Sequence, residues 1–484
     1  MVWYWTLTNP RRFPSRRGLG WARKPIDRYL KKPVTLVFDI GKTTKKALIF
    51  DGSFNVVEEK TTTFPEIADD DGFPAEDLAL VTRWFKETLQ SFLNDPLFNI
   101  THINTSAYGA SLVALDENDK LILPFYNYLK PFPETLRKKF DEHYNVNDTI
   151  AQETASPWLG MLNSGLQAFW LKNEKPEHFR KIRTLLHLPQ YFSFLVTGKK
   201  LCEKTSIGCH TMLWDFENMD YHTWTSAEGI KTLFPPIESL TSHIDVNING
   251  LHLKAGTGVH DSSAALMPYL VTNKEPFLLL STGTWNICFN PFNQEPLTSD
   301  ELRKDCLCYL TYEGKSVKAS RIFLGHEHEV QQRELAKYFR VGSDEFNNVH
   351  FDQSIYDQLC NENNKHFYPL EMEGSGPIYE RQFHRTDYAA FATFEEAQHQ
   401  LMRYLVQWQK LSIDLVDPAS RIQRIILVGG FTKNKLFIEI VKRELKGRKI
   451  HLSDHPRASA LGAGWLVNDE SLYLGARHLQ LLDA

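Results

Sequence analysis

Residues 34–51 read VTLVFDIGKTTKKALIFD. Val34, Leu36 and Phe38 alternate on the way in, and Ala47, Leu48, Ile49 and Phe50 form an apolar run on the way out. This predicts two short strands joined by a tight turn. Between them stand Asp39, Gly41, Lys42, Thr43, Thr44, Lys45 and Lys46. Gly41 permits a backbone turn that a side chain would hinder, leaving N–H groups free to face an anion. Threonine hydroxyls can donate to phosphate oxygens, and the lysines add positive charge. Asp39, at the end of a buried strand, is placed to hold a hydrated Mg²⁺ against such phosphates. An ordinary polar hairpin fits this one stretch equally well. A P-loop does not fit: that motif needs a glycine five positions before the Gly of GKT and a helix after it. Position 36 is Leu, and the residues after Thr44 read as a strand.

The chain around this stretch has 484 residues, enough for two or three domains with a large core. Its 42% hydrophobic and 24% charged content fits a globular enzyme. A net charge of −4 gives no reason to expect nucleic acid or an anionic membrane as partner. No run of about 18 apolar residues is present, so no membrane span is expected. The six cysteines form no CxxC pair and read as reduced thiols of a cytoplasmic protein. Residues 1–32 carry nine Arg and Lys against one acid, Asp27, with no continuous apolar segment of a secretory signal. Pro10, Pro14 and Gly18 interrupt any long amphipathic helix of a transit peptide. This basic extension is expected to be poorly ordered and outside the fold.

Further along, residues 54–64 read as a third strand. Residues 77–93 read as an amphipathic helix, with Leu78, Val81, Phe85, Leu89 and Phe92 at three- and four-residue spacing. Residues 100–116 give strand, small-residue turn, strand, with Tyr108-Gly109-Ala110-Ser111 at the turn. Tyr108 and the cluster around Asn127 suit a sugar, whose ring stacks on an aromatic face while an amide bonds its hydroxyls; core packing explains them as readily. Residues 151–235 are mostly helical in pattern, most strongly at 166–172 and 185–197. At Leu251 a second cycle begins. Gly258-Val259-His260-Asp261 leads into a helix-forming stretch whose Asp reads alone as an N-cap. Residues 277–290, FLLLSTGTWNICFN, then repeat the opening pattern of apolar strand, Gly/Thr turn and apolar strand about 240 positions on. Two such hairpins suggest a duplicated domain holding a phosphate tail between them. His326 and His328 do not form an HExxH pair, and metal binding there is not expected. Residues 373–377 (EGSGP) are a loop signal. Residues 401–415 read as a helix. Residues 424–428 read as a buried strand leading to Gly429-Gly430-Phe431, where a flat ring can lie on the backbone beside a helix N-terminus starting near Asn434. Residues 457–466 read as a closing helix with small residues.

Four of these signals, in this order, resemble the FGGY carbohydrate kinase family of the actin-like fold, over residues 33 to the end. Asp39 to Thr44 resembles its first phosphate motif, Gly258 to Asp261 its GxxD, Ser281 to Trp285 its second phosphate motif, and Gly429-Gly430-Phe431 with Asn434 its adenosine motif. The resemblance implies an α/β chain of two actin-like (ribonuclease H-like) domains, 33–250 and 251–484, with ATP and sugar in the cleft between them. It implies Asp261 as the general base that takes the proton of the attacking sugar hydroxyl. Asp39 would position Mg²⁺. Gly41, Thr43, Thr44, Lys46, Thr282, Gly283 and Thr284 would contact phosphates. Gly429, Gly430 and Asn434 would hold adenosine. Tyr108, Asn127, His260 and Asp261 would face the sugar. His260-Asp261 resembles the rhamnulose and fuculose kinase branches, whereas Tyr108-Gly109-Ala110 followed by Asn127 resembles xylulose kinases. A deoxy-ketohexose such as L-fuculose or L-rhamnulose is the expected acceptor. A pentulose kinase of the xylulose or ribulose type is one alternative, and a non-catalytic nucleotide-binding protein of the same fold is another. Lys42 departs from the family's usual small residue or Thr after Gly41. The partner implied is a small-molecule sugar, and a homodimer is left open.

Overall fold

The opening stretch forms the predicted hairpin: β1 (Lys32–Ile40) pairs antiparallel with β2 (Lys45–Phe50), from Thr35 opposite Phe50 to Ile40 opposite Lys45. β3 (Val56–Thr62) continues the meander. After α1 (Leu78–Leu93), β4 (Phe98–Ala107) joins β1 in parallel. The computed structural model describes residues 31–144, 148–362, 364–372, 374–378, 384–453, 455, 457–468 and 481–483. Residues 1–30 of the basic extension lie outside the described residues, as does Glu373 of the expected 373–377 loop.

β1 is apolar on both faces because both are covered. Phe38 packs on Phe85 of α1, with ring centroids 4.1 Å apart, while its neighbour Val37 points the other way, into a cluster with Ala460, Leu461 and Trp465. One correction concerns residues 185–197, read as a single helix. Thr184–His187 is a strand, and the helix α2 (Leu188–Thr197) starts only where Pro189 fits its first turn.

The first sheet is completed by β5 (Ile244–Ile248) and β6 (Leu251–Ala255), an antiparallel hairpin whose second strand lies parallel to β4, and by β7 (Val259–His260), also parallel to β4. The expected division between residues 250 and 251 therefore falls inside a hairpin, both strands of which belong to the first sheet. α3 (Asp261–Thr272) then leads to the second sheet. There β8 (Phe277–Thr282), β9 (Asn286–Asn290), β10 (Cys306–Leu310) and β11 (Ser316–Ile322) are followed by α4 (Leu324–Phe339), the long helix α5 (Phe394–Val416) and β12 (Arg424–Gly429). α6 (Lys435–Glu444), β13 (Lys449–Ser453), α7 (Ala458–Leu466) and β14 (Leu482–Asp483) complete the chain. The two sheets run β5-β6-β4-β1-β2-β3 and β10-β11-β9-β8-β12-β13-β14. β1, β2, β3, β4 and β6 thus correspond in pairing to β8, β9, β11, β12 and β13: an antiparallel meander with two parallel strands added beside its first strand. The repeat of the Gly/Thr hairpin reflects this shared topology.

α7 returns to the first sheet, where Asn104 Nδ2 of β4 donates to Ala463 O at 2.8 Å. It also crosses α3 so closely that a Cβ on Gly462 would stand 2.0 Å from the Ala264 carbonyl oxygen. Gly462→Ala is therefore expected to cost about 1–3 kcal/mol through forced separation of the two helices. Thermal denaturation should show a fall of several degrees in Tm; an unchanged Tm would mean that the crossing has slack. All six cysteines are free thiols, five of them buried. Among the described residues, no helix is long and apolar enough to cross a membrane.

Candidate active site

The parallel strands of the first sheet end in a row, where open α/β sheets commonly bind ligands. Asp39 of β1 lies opposite Ser106 of β4, and His260 of β7 lies opposite Ala107. Two features turn the chain into Asp261. Gly258 adopts φ +81°, in the left-handed region, and a Cβ there would stand 2.5 Å from the Pro189 carbonyl oxygen. Asn104 Oδ1 accepts from Gly258 N at 3.2 Å. His260 caps α3 and Asp261 is its first residue, so the carboxylate sits at the positive end of the helix.

His260 is 3% exposed, with Nε2 3.3 Å from Asp261 Oδ1 and its ring stacked on Tyr309 at 5.7 Å. Its buried Nδ1 has no hydrogen-bond partner among the described residues. Burial lowers its pKa, opposed by Asp261, so the imidazole is held neutral. Asp261 Oδ1 accepts from Ser262 N at 2.6 Å, and its side chain remains 32% exposed, facing the cleft. Asp39 accepts from Ser459 Oγ of α7 at 3.0 Å. Burial, and next the negative charge of Asp261, push its pKa up to about 6, against the pull of Ser459 and Lys46. A buried carboxylate whose ionisation is opposed by burial and by the neighbouring Asp261 charge makes, together with Asp261, a donor set that fits a hard divalent cation.

A cavity of about 380 Å³ extends from Asp261 past Ser281, Gly429, Gly430, Lys433 and Ser459. A second, of about 330 Å³, shares Gly430 and Lys433 and is lined by Gly283, Thr284, Gly325 and Asn434, with the rings of His328 and Phe431. The two cavities adjoin at Gly430 and Lys433, the first reaching the Asp261 carboxylate and the second lined by three rings, those of His328, Phe346 and Phe431. Gly429 makes the junction possible: its φ is +94°, and a Cβ would stand 1.9 Å from the Thr282 carbonyl oxygen. A Cβ on Gly325, at the start of α4, would stand 1.8 Å from the Gly283 carbonyl oxygen, so α4 presses against the second turn.

Asp261, Gly283, Thr284, Gly429, Gly430 and Asn434 thus line these two adjoining cavities, with Asp39 bonded to Ser459 and His260 beside Asp261 at the wall of the first. Other expected residues are used differently. The Thr282 hydroxyl donates to Val428 O at 2.6 Å and accepts from Phe431 N at 3.1 Å, tying β8 to β12 instead of facing a phosphate. Asn127 donates to Pro74 O and Glu66, and its Oδ1 accepts from Leu129 N, so its amide is engaged inside the protein. Gly41, Thr43 and Thr44 form the β1–β2 turn, with Gly41 N donating to Thr44 O at 3.0 Å, and line neither cavity. Lys46 lies opposite Asp39 across the hairpin. Asn434 lines the second cavity through a side chain whose Oδ1 also caps α6 at Phe437 N. Tyr108 is buried and donates to Glu76 at 3.3 Å. Sequence reasoning missed Lys433, although it stands between Gly430 and Asn434. It also missed Ser459, whose contact with Asp39 spans 420 positions.

The chain is matched by the FGGY family of carbohydrate kinases, N-terminal domain, over residues 34–258, and by the carbohydrate kinase FGGY, C-terminal domain, over residues 274–473. It is 26% identical to a rhamnulokinase of Halalkalibacterium halodurans over 189 residues, 37% of this chain and 39% of that protein. It is also 26% identical to a probable L-xylulose kinase of Pasteurella multocida over 213 residues, 42% of this chain and 43% of that one. The matches therefore span about two-fifths of the length of these curated relatives. In fold it is similar to a carbohydrate kinase from Novosphingobium aromaticivorans, with a TM-score of 0.78 at 22% identity over 94% of both chains. A xylulose kinase from Lactobacillus acidophilus gives 0.75 at 16% identity, over 93% of this chain and 92% of that one.

Proposed function

The chain belongs to the FGGY family of carbohydrate kinases, and from this premise we propose that it transfers the γ-phosphoryl group of ATP to a hydroxyl of a ketose, with Asp261 as general base. The observation that carries the reading is the pair of cavities adjoining at Gly430 and Lys433, one at Asp261 and the other at Asn434, which suits an extended nucleotide whose terminal phosphate points at the acceptor. An alcohol is too weakly acidic to ionise beforehand, so Asp261 takes its proton as attack proceeds, and the attacking oxygen gains the phosphoryl group that ADP loses. Thr284 and Lys433 donate to the phosphate tail beside Gly283, whose own N–H is bonded to Trp285 O, and Lys46 adds positive charge near Asp39. The rings of His328 and Phe431 flank the base. Mg²⁺, held by Asp39, would neutralise phosphate charge in this site. The N-terminal domain runs through His260, and the second domain begins with α3, after the hairpin of β5 and β6.

The substrate favoured is a deoxy-ketohexose, L-rhamnulose or L-fuculose. His260 beside Asp261 and the likeness to rhamnulokinase support it; the likeness to an L-xylulose kinase keeps pentuloses in the panel. ADP release with Mg·ATP should depend on one sugar among L-rhamnulose, L-fuculose, L-xylulose, D-xylulose, L-ribulose and D-ribulose. A clear preference for a pentulose would replace the substrate assignment. ADP release at the sugar-free rate with every member would count against sugar transfer itself.

A further inference from the structure

The geometry assigns to Glu76 the recognition of a second hydroxyl of the acceptor, through its Oε1 oxygen; this inference rests on the kinase reading and adds a specificity residue to it. Glu76 ends a short strand (Pro74–Glu76) just before α1 and is 6% exposed. Its Oε2 is fully occupied, accepting from Lys45 Nζ at 2.7 Å and from Tyr108 OH at 3.3 Å. Its Oε1 is buried with no hydrogen-bond partner among the described residues. A buried carboxylate oxygen without a donor is costly, and such an orphan calls for a ligand or another compensating group.

Its place relative to Asp261 supplies the ligand. The loop after β4 touches Glu76 through the Tyr108 hydroxyl. Its next residue, Gly109, lies so close to His260 that an added Cβ would stand 2.9 Å from the imidazole Nε2. Two consecutive residues thus bridge Glu76 to the His260-Asp261 pair. Tyr128 packs on Tyr108 at 6.0 Å ring to ring, and burial, then the charges of Asp261, Glu66 and Glu76, raise its pKa. Glu76 and the His260-Asp261 pair therefore flank one polar-aromatic cluster built on Tyr108 and Tyr128. Asp261 receives the proton of the reacting hydroxyl there. Glu76 Oε1 accepts a hydrogen bond from a hydroxyl elsewhere on the same molecule. Lys45, 2% exposed and also bonded to Lys42 O at 2.9 Å, holds the Glu76 carboxylate in place through its ion pair with Oε2. The ligand class is a polyhydroxy compound with a hydroxyl donor at that position, and a deoxy carbon there should be rejected.

Glu76→Gln alone would leave Lys45 buried and unpaired, so the informative protein is the full chain carrying K45M and E76Q together, which removes both charges at similar volume. Its kcat/KM for the preferred ketose is expected to fall roughly 10- to 100-fold, through the KM for sugar with the KM for ATP unchanged. On mono-deoxy analogues, wild type should lose a similar factor at one position, where the double variant loses nothing more. Additive losses at every position, or a kcat/KM within threefold of wild type, would overturn the assignment while leaving the kinase reading intact. Absence of sugar-dependent turnover in wild type would overturn both. ADP affinity and Tm of the variant establish that it is folded.

Discussion

Asp261→Asn is expected to lower sugar-dependent ADP release by about 10²–10⁴-fold, the usual contribution of a positioned general base. The substitution is nearly isosteric, and Asn can still accept from Ser262 N, which now bonds Oδ1 at 2.6 Å. The start of α3 and its crossing with α7 should therefore be undisturbed. What is lost is the acceptor for the hydroxyl proton. Because Asp261 lines only the first cavity, whereas Asn434 and the three rings line the second, ADP should bind the variant with near wild-type affinity. Turnover by stopped assay and ADP binding by calorimetry separate the two effects. Turnover within tenfold of wild type would remove Asp261 from the chemistry, and loss of ADP binding would mean a structural role.

Asp39→Asn should abolish turnover and, in metal-free buffer, stabilise the protein at alkaline pH. Asp39 has its folded pKa raised from 3.8 to about 6, chiefly by burial and next by Asp261. The folded chain therefore binds this proton more tightly than the unfolded chain does. Stability falls as pH rises from about 4 through 6, and above that window the folded protein carries the full penalty of the buried charge. Asn carries none. The variant's Tm should exceed that of wild type by at least 2–4 °C at pH 8, the shift expected for about 1 kcal/mol in chains of 150–250 residues, and match it at pH 4. Added Mg²⁺ with ADP should raise the wild-type Tm at pH 8 more than the variant's, because only wild type has the second carboxylate for the cation. A variant less stable than wild type at pH 8 would mean that the Ser459 bond outweighs the charge penalty.

Both hairpins were legible because their signals are local. Alternation in residues 34–51 and 277–290, with Gly and Thr between the apolar runs, sets strand, turn and strand within a few residues of one another. The GxxD loop was legible for the same reason, since a glycine with positive φ just before a helix start is a short-range requirement. Asp261 was ambiguous alone, as a first-turn acid stabilises any helix. What separates base from helix-end charge is the company of Asp39, and that depends on β1 and α3 meeting.

Other side chains have partners that are remote in sequence. Thr282 reads as a phosphate ligand until its hydroxyl is seen bonded to Val428 and Phe431, 146 and 149 positions away. Asn127 reads as a sugar ligand until its amide is found on Pro74 and Glu66. The expected 250/251 boundary falls within the β5–β6 hairpin, because the start of the second cycle at Leu251 carries no local mark of which sheet receives that strand.

By itself, then, the sequence determined the strands, the turns, the order of the phosphate and adenosine motifs, and the duplication those motifs imply. All of these are matters of residue type within short windows. The tertiary structure alone decided which polar atoms are left without partners. It bonded the Thr282 hydroxyl and the Asn127 amide within the fold, brought Ser459 to Asp39, and left Glu76 Oε1 and His260 Nδ1 without partners among the described residues. The physical reason is that a hydrogen-bonding atom serves a ligand only if the fold has not already satisfied it, and satisfaction is set by residues brought together from tens to hundreds of positions apart.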